Sequence, residues 1–277
     1  MLPPTRGWSR TLTAVDAGAE RWVVAVRVIL LAGAVTPATL AYEALLTQLG
    51  PDVEAVTKEL ELYRSDAPPH NYSLATEVDG VRTEADRLRW DHFHLVGYSA
   101  GGSVALAYAA RDPGRLLSLA LLEPAWAGDW DWSSAHRRLW ESYREIEELP
   151  TDQSMPAFMR LQVRPDVELP APSSGPAPPW MATRPAGIRA LLRTFRDYQL
   201  DRASLASFGK PVYFALGGRS NPDQFEEEAD RLAAVFPDFT LEAFPQRHHF
   251  DPPHRVEPAR LAASLRDLWR RGEAAAS

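Results

Sequence analysis

Gly97-Tyr98-Ser99-Ala100-Gly101 is the segment of this chain best suited to chemistry. A serine with a glycine two residues to either side can sit on a turn tight enough to expose its hydroxyl. An apolar run, Phe93-His94-Leu95-Val96, precedes it, and a small-residue segment, Ala100 to Arg111, follows. That order predicts strand, turn and helix, with Ser99 at the carboxyl edge of a sheet. A serine hydroxyl is a weak nucleophile near neutral pH and needs a neighbouring base. Histidine titrates in the working range, so it can take the proton and later return it. Three of the seven histidines, His248, His249 and His254, fall in one late string, Arg247-His248-His249-Phe250-Asp251-Pro252-Pro253-His254. Three imidazoles and Asp251 could also hold a metal. The paired prolines prevent helical presentation of ligands at i and i+4, so no metal and no cofactor are expected.

The elements that must position these groups follow from the hydrophobic pattern. Val28-Ile29-Leu30-Leu31 reads as a strand buried on both faces and stopped by Gly33. Thr39 to Leu49 reads as a helix, Val53 to Leu60 as a strand, and Tyr72 to Trp90 as a helix. After the serine turn come strands at Leu116 to Leu122, Val212 to Leu216 and Phe239 to Phe244. Glu257 to Arg271 closes the chain as an amphipathic helix with Leu261, Leu265 and Leu268 on one face. Buried strands alternating with helices predict a mostly parallel sheet covered on both faces.

The alternation is interrupted once. Residues 125–207 carry helical patterns, a proline-rich stretch from Pro165 to Pro185, and five of the nine tryptophans. A structureless loop of that length is rare in a compact domain. The segment therefore reads as an inserted cap. Residues 1–20 form a polar N-terminal tail, and residues 21–124 with 208–277 form the core.

Composition removes several classes. The 277 residues are 45% hydrophobic and 24% charged, which suits a globular α/β protein. Net charge is −7, and no basic cluster marks a nucleic-acid face. With no cysteine, a disulfide framework, a Cys-ligated zinc and a thiol nucleophile are all excluded. The longest apolar run, Trp22 to Val35, contains Arg27 and is too short to span a membrane. No signal-peptide pattern opens the chain. A cytoplasmic protein without nucleic-acid or membrane partners, acting on a small molecule, is expected. Its oligomeric state is not legible.

From about residue 22 to residue 271 the chain resembles the α/β-hydrolase superfamily, on the G-x-S-x-G turn, the strand context, the insert and the late histidine. The resemblance implies an α/β-hydrolase fold with a helical cap between the strands that the family counts as its sixth and seventh. It implies the catalytic order serine, acid, histidine. His249 with Pro252 three residues on fits the family's base position, and His248 is the alternative. The family usually carries its aspartate just past the strand read at Val212 to Leu216. Here Ser220 stands at that position. Glu123, at the end of the preceding strand, is the favoured acid, as in certain haloalkane dehalogenases; Asp223 is the alternative.

Backbone N–H groups must stabilise the oxyanion of acyl transfer. Ala100, after the nucleophile, is expected to supply one and Ala34 the other. The family often has His-Gly where this chain has Ala32-Gly33. Gly33, Tyr98 and Trp126 are the expected substrate-binding residues. The expected activity is that of a carboxylesterase-type serine hydrolase working through an acyl-enzyme on Ser99, on a small, fairly apolar ester. Cleavage of an activated C–C bond by the same groups is one alternative. A non-catalytic binding protein on the same fold is the other.

Overall fold

The computed structural model describes residues 25–169 and 176–276. The N-terminal tail expected at residues 1–20 lies outside the described residues. Six strands form one sheet: β1 (Val26–Leu31), β2 (Val53–Lys58), β3 (Phe93–Ser99), β4 (Leu116–Pro124), β5 (Val212–Gly217) and β6 (Phe239–Phe244). Their order is β2-β1-β3-β4-β5-β6, and every neighbouring pair is parallel.

Both faces of the sheet are buried, so β3 and β4 are buried at every position rather than at alternate ones, and their residues are mostly apolar. Ile29, Leu31, Leu95, Leu119 and Phe214 point to one face, where α3 (Leu74–Leu88), α4 (Ala100–Arg111) and α9 (Pro222–Ala233) supply Val78, Val104 and Leu232. Val28, Leu30, Val96, Ala120 and Tyr213 point to the other, against α1 (Ala38–Ala41), α2 (Glu43–Leu46) and α11 (Pro258–Ala276).

The chain leaves β1 for the edge strand β2, then crosses back to build β3 on the other side of β1. Connections therefore diverge between the carboxyl ends of β1 and β3, which opens a crevice there. Gly33 follows β1 and Ser99 ends β3, so both stand at that crevice.

The segment between β4 and β5 holds α5 (Ser134–Glu148), α6 (Thr151–Leu161), α7 (Arg184–Asp197) and α8 (Arg202–Ala206). In the count of described strands it thus lies between the fourth and fifth. It is tied to the turn after β5. Arg164 N–H donates to Arg219 O at 3.0 Å, and Asn221 N–H donates to Gln162 O at 3.1 Å.

Two elements differ from expectation. The helix read over Thr39 to Leu49 is two short helices broken at Tyr42. The buried Tyr42 side chain reaches under the sheet edge, where its hydroxyl donates to Leu31 O at 2.8 Å. The strand read over Val53 to Leu60 ends at Lys58, because Glu61–Tyr63 turns into a 3-10 helix. The buried Glu77 carboxyl accepts the Glu61 and Leu62 N–H groups at 2.8 and 3.0 Å and holds that turn.

His94 on β3 is fully buried, with Nδ1 2.7 Å from Ser118 Oγ, and desolvation pushes its pKa down to about 3. The unfolded chain binds a proton at this histidine below its ordinary value near 6.5, and the folded chain does not. Stability from this residue is thus present above pH 6.5 and lost as pH falls toward 3. Wild type should lose about 1.4 kcal/mol per pH unit relative to His94→Gln between about pH 5.5 and about pH 4.5, measured by urea unfolding. Parallel pH dependences would contradict it.

Candidate active site

Ser99 holds φ 53° and ψ −123°, a conformation that side chains rarely adopt. The turn survives because its neighbours demand it. A Cβ on Gly97 would stand 2.3 Å from Gly101 O, and one on Gly101 would stand 2.4 Å from Leu31 O. The motif's glycines are therefore required by the close approach of β3, α4 and the end of β1. The strain aims the Ser99 hydroxyl off the sheet edge rather than along the strand.

His249 arrives in the loop between β6 and α10 (Pro253–Val256). Its Nε2 lies 3.0 Å from Ser99 Oγ, and its Nδ1 lies 3.1 Å from Glu123 Oε2. The imidazole is held on three sides. Phe225 of α9 stacks on it at 4.6 Å with the planes 13° apart, Phe250 meets it edge-on, and the Tyr98 ring lies 5.1 Å away. The Tyr98 hydroxyl donates to the His249 carbonyl oxygen.

Glu123 also has a positive φ, 48°, so strand-end strain marks both Ser99 and the carboxylate. Its second oxygen, Oε1, accepts the Gly217 N–H at 2.7 Å. A carboxylate bonded at both oxygens is fixed in orientation and compensated for burial. Ser220 Oγ (2.8 Å) and Glu123 Oε1 (3.0 Å) both flank the point where a Gly217 Cβ would stand. The two residues therefore compete for one place. An acid at 220 would crowd the carboxylate that β4 already delivers. The turn at 220 instead bridges to Val163 of the insert.

The alternatives fall elsewhere. Asp223 is exposed in the first turn of α9, and its backbone N–H is capped by Asn221 Oδ1 at 3.1 Å. His248 Nδ1 accepts the Phe250 N–H at 3.2 Å, turned into its own loop. His254 is buried between Tyr42 and Tyr98, with ring centroids 5.0 and 4.6 Å away. No group of three or more His, Asp or Glu side chains suited to a metal occurs among the described residues.

Ala34 and Ala100 line a cavity of about 20 Å³ with Ser99, closed by Trp140, Tyr143, Phe158 and Phe195. A second cavity of about 30 Å³, with Gly33, Tyr98 and His254 among its walls, also reaches Ser99. Each has room for only one or two waters.

Of the expected substrate contacts, Gly33 and Tyr98 line the second cavity, and a Cβ at Gly33 would stand 2.9 Å from Ser99 Cβ. Trp126 does not line either cavity at Ser99. It stacks on Phe195 at 5.5 Å and lines an outer cleft of about 360 Å³ between α5 and α7. Trp140, Tyr143, Leu192 and Phe195 form the wall between that cleft and the inner cavity. The remaining insert tryptophans are largely packed. Trp132 stacks on His136 at 3.9 Å, and Trp140 Nε1–H donates to His136 Nε2 at 2.8 Å.

Phe225 and the Gly217 N–H are positioning groups that sequence reasoning did not single out. An aromatic one turn into a helix after Asn-Pro-Asp has no distinguishing mark, and a backbone N–H leaves none at all.

A family model described as the α/β hydrolase fold matches residues 63–253. No curated protein matches the sequence significantly. Solved structures match over most of their length. An esterase from Thermogutta terrifontis is 17% identical with a TM-score of 0.67, covering 90% of this chain and 91% of its own. A haloalkane dehalogenase variant from Bradyrhizobium elkanii is 18% identical with a TM-score of 0.66, covering 91% of each chain. A meta-cleavage product hydrolase from Pseudomonas fluorescens is 15% identical with a TM-score of 0.60, covering 88% and 90%. At such identities the likeness is one of fold.

Removing the Tyr98 hydroxyl would leave the buried His249 carbonyl without its donor. Tyr98→Phe should therefore lower the unfolding free energy by about 1–3 kcal/mol in a urea titration. An unchanged midpoint and slope would show that this bond does not hold the histidine loop.

Proposed function

The chain belongs to the α/β-hydrolase family, and on that premise we propose that it is a serine esterase acting on a small, fairly apolar carboxylic ester. The observation that carries this reading is the continuous path from Ser99 Oγ to His249 to Glu123, with steps of 3.0 and 3.1 Å. Ser99 attacks the ester carbonyl carbon while His249 Nε2 takes the hydroxyl proton. Glu123 keeps Nδ1–H bonded, so that Nε2 is the free base, and balances the imidazolium that forms. The Ala34 and Ala100 N–H groups hold the oxyanion. His249 then returns the proton to the departing alkoxide. Water, deprotonated by the same nitrogen, releases the acid and restores Ser99.

The insert acts as a cap in this reading. It covers Ser99 so closely that an ester cannot enter without movement of the Trp140–Phe195 wall. The outer cleft between α5 and α7 is then the vestibule. Closure over a buried nucleophile excludes bulk water and strengthens the oxyanion contacts.

A non-catalytic role would not require two strained strand ends and an imidazole bonded on both nitrogens. C–C bond cleavage by the same groups has in its favour only a likeness of fold to the meta-cleavage product hydrolase. Halide displacement in the resembling dehalogenases needs an aspartate nucleophile, and this chain has serine.

Ser99→Ala and His249→Ala should abolish turnover of 4-nitrophenyl butyrate with folding intact. Glu123→Gln should lower kcat by about 10²–10⁴, as loss of the orienting carboxylate does in triads. Asp223→Asn should match wild type. An active Ser99→Ala protein, or an Asp223→Asn defect alongside an active Glu123→Gln, would sink this mechanism.

A further inference from the structure

The two cavities that meet at Ser99 have walls of different chemistry. Ala34, Ser99 and Phe158 line both. The first runs under the insert and is otherwise apolar, apart from Tyr143 and Gln162. The Tyr143 hydroxyl donates to Gln224 Oε1 at 2.7 Å, and Gln162 Nε2 donates to Phe158 O at 3.1 Å. This side offers a ligand little beyond apolar surface.

The second cavity is lined by His254 and Arg255. His254 is fully buried, and neither of its ring nitrogens has a partner. Burial pushes its pKa down to about 3, so the ring is neutral and carries one N–H. A buried donor without an acceptor is costly, and this one lies in a cavity wall. Arg255 is exposed, and its guanidinium makes no hydrogen bond or ion pair among the described residues. The acids flanking it in sequence are taken. Asp251 pairs with Arg247 at 2.6 Å, and Glu257 pairs with Arg247 and Arg260 at 3.2 and 3.3 Å. The Arg255 charge is nonetheless felt inside, where it acts on both Tyr98 and His254.

An ester has two arms leaving its carbonyl centre. With that centre at Ser99, one arm enters the apolar cavity and the other enters the cavity lined by His254 and Arg255. We propose that this second arm carries a carboxylate, so that the preferred substrate is an ester with one apolar arm and one short anionic arm, read by Arg255 with His254. A guanidinium presents paired N–H donors that match a carboxylate, and His254 can donate its N–H to the same group. The cavity of about 30 Å³ keeps this arm to a few atoms.

The proposal rests on Ser99 hydrolysing esters. Its test uses two pairs of esters matched in shape. One pair places the charge on the acyl side: 4-nitrophenyl hydrogen succinate against 4-nitrophenyl 4-methylpentanoate, with spontaneous hydrolysis subtracted. The other places it on the alcohol side: butanoyl glycolate against isobutyl butanoate. In one pair, wild type should favour the anionic ester in kcat/KM by about tenfold, the worth of one charge-assisted hydrogen bond. Arg255→Met should erase that ratio, Arg255→Lys should keep part of it, and added salt should reduce it. A ratio at or below one in both pairs would overturn the proposal, as would an equal ratio in Arg255→Met. Either result leaves the esterase reading standing, because the neutral esters still turn over. Folded wild type that cleaves none of the four esters would remove both.

Discussion

The hydrogen bond between His249 Nδ1 and Glu123 Oε2 joins residues brought by strands two apart in the sheet, and much of the site depends on it. Glu123 comes at the end of β4, His249 in the loop after β6, and β5 lies between these strands. Three neighbours make the bond possible. The Gly217 N–H at the end of β5 holds the other carboxylate oxygen. Phe225 supports the imidazole from below, and the Tyr98 hydroxyl holds its backbone. Without the Gly217 N–H or the Tyr98 hydroxyl, a buried carboxylate or a buried carbonyl loses compensation. The neighbouring Glu228 shows the contrast. It is wholly buried with neither oxygen bonded, and burial raises its pKa well above the ordinary range. Glu123, by contrast, has a hydrogen bond at each oxygen.

In this chain the turn after β5 is an attachment point for the insert, where the Ser220 backbone bridges to Val163 and Asn221 bonds the end of α6. The same attachment presses Phe158 of α6 and Phe195 of α7 toward Ser99, which is why the cavities there are so small.

Much of this was legible in the residues. The glycines of the serine turn, the apolar runs and the small residues of α4 announce a parallel sheet with Ser99 at its carboxyl edge. With Ser220 where the resemblance expects an acid, Glu123 and Asp223 are the acids the sequence offers, and Glu123 is the one that stands at a strand end. The break at Tyr42 was not legible, because a tyrosine that anchors a strand end looks like any residue of an amphipathic helix. The roles of Trp126 and Phe225 were hidden for a related reason. Aromatic side chains announce burial but not the partner, and only the packing decides which ring walls a cavity and which supports a base. The walls of the space at Ser99 come from residues as far apart as Val35 and Arg255, and no local pattern records that.

The measurement that bears most directly on these conclusions is the intact mass of the protein after exposure to a small fluorophosphonate, on wild type and Ser99→Ala. Such reagents phosphonylate a serine only when a base has activated it. A single adduct on wild type, absent from Ser99→Ala, is the expected result. No adduct on folded wild type, or an undiminished adduct on Ser99→Ala, would contradict the assignment of Ser99 as a nucleophile activated by His249.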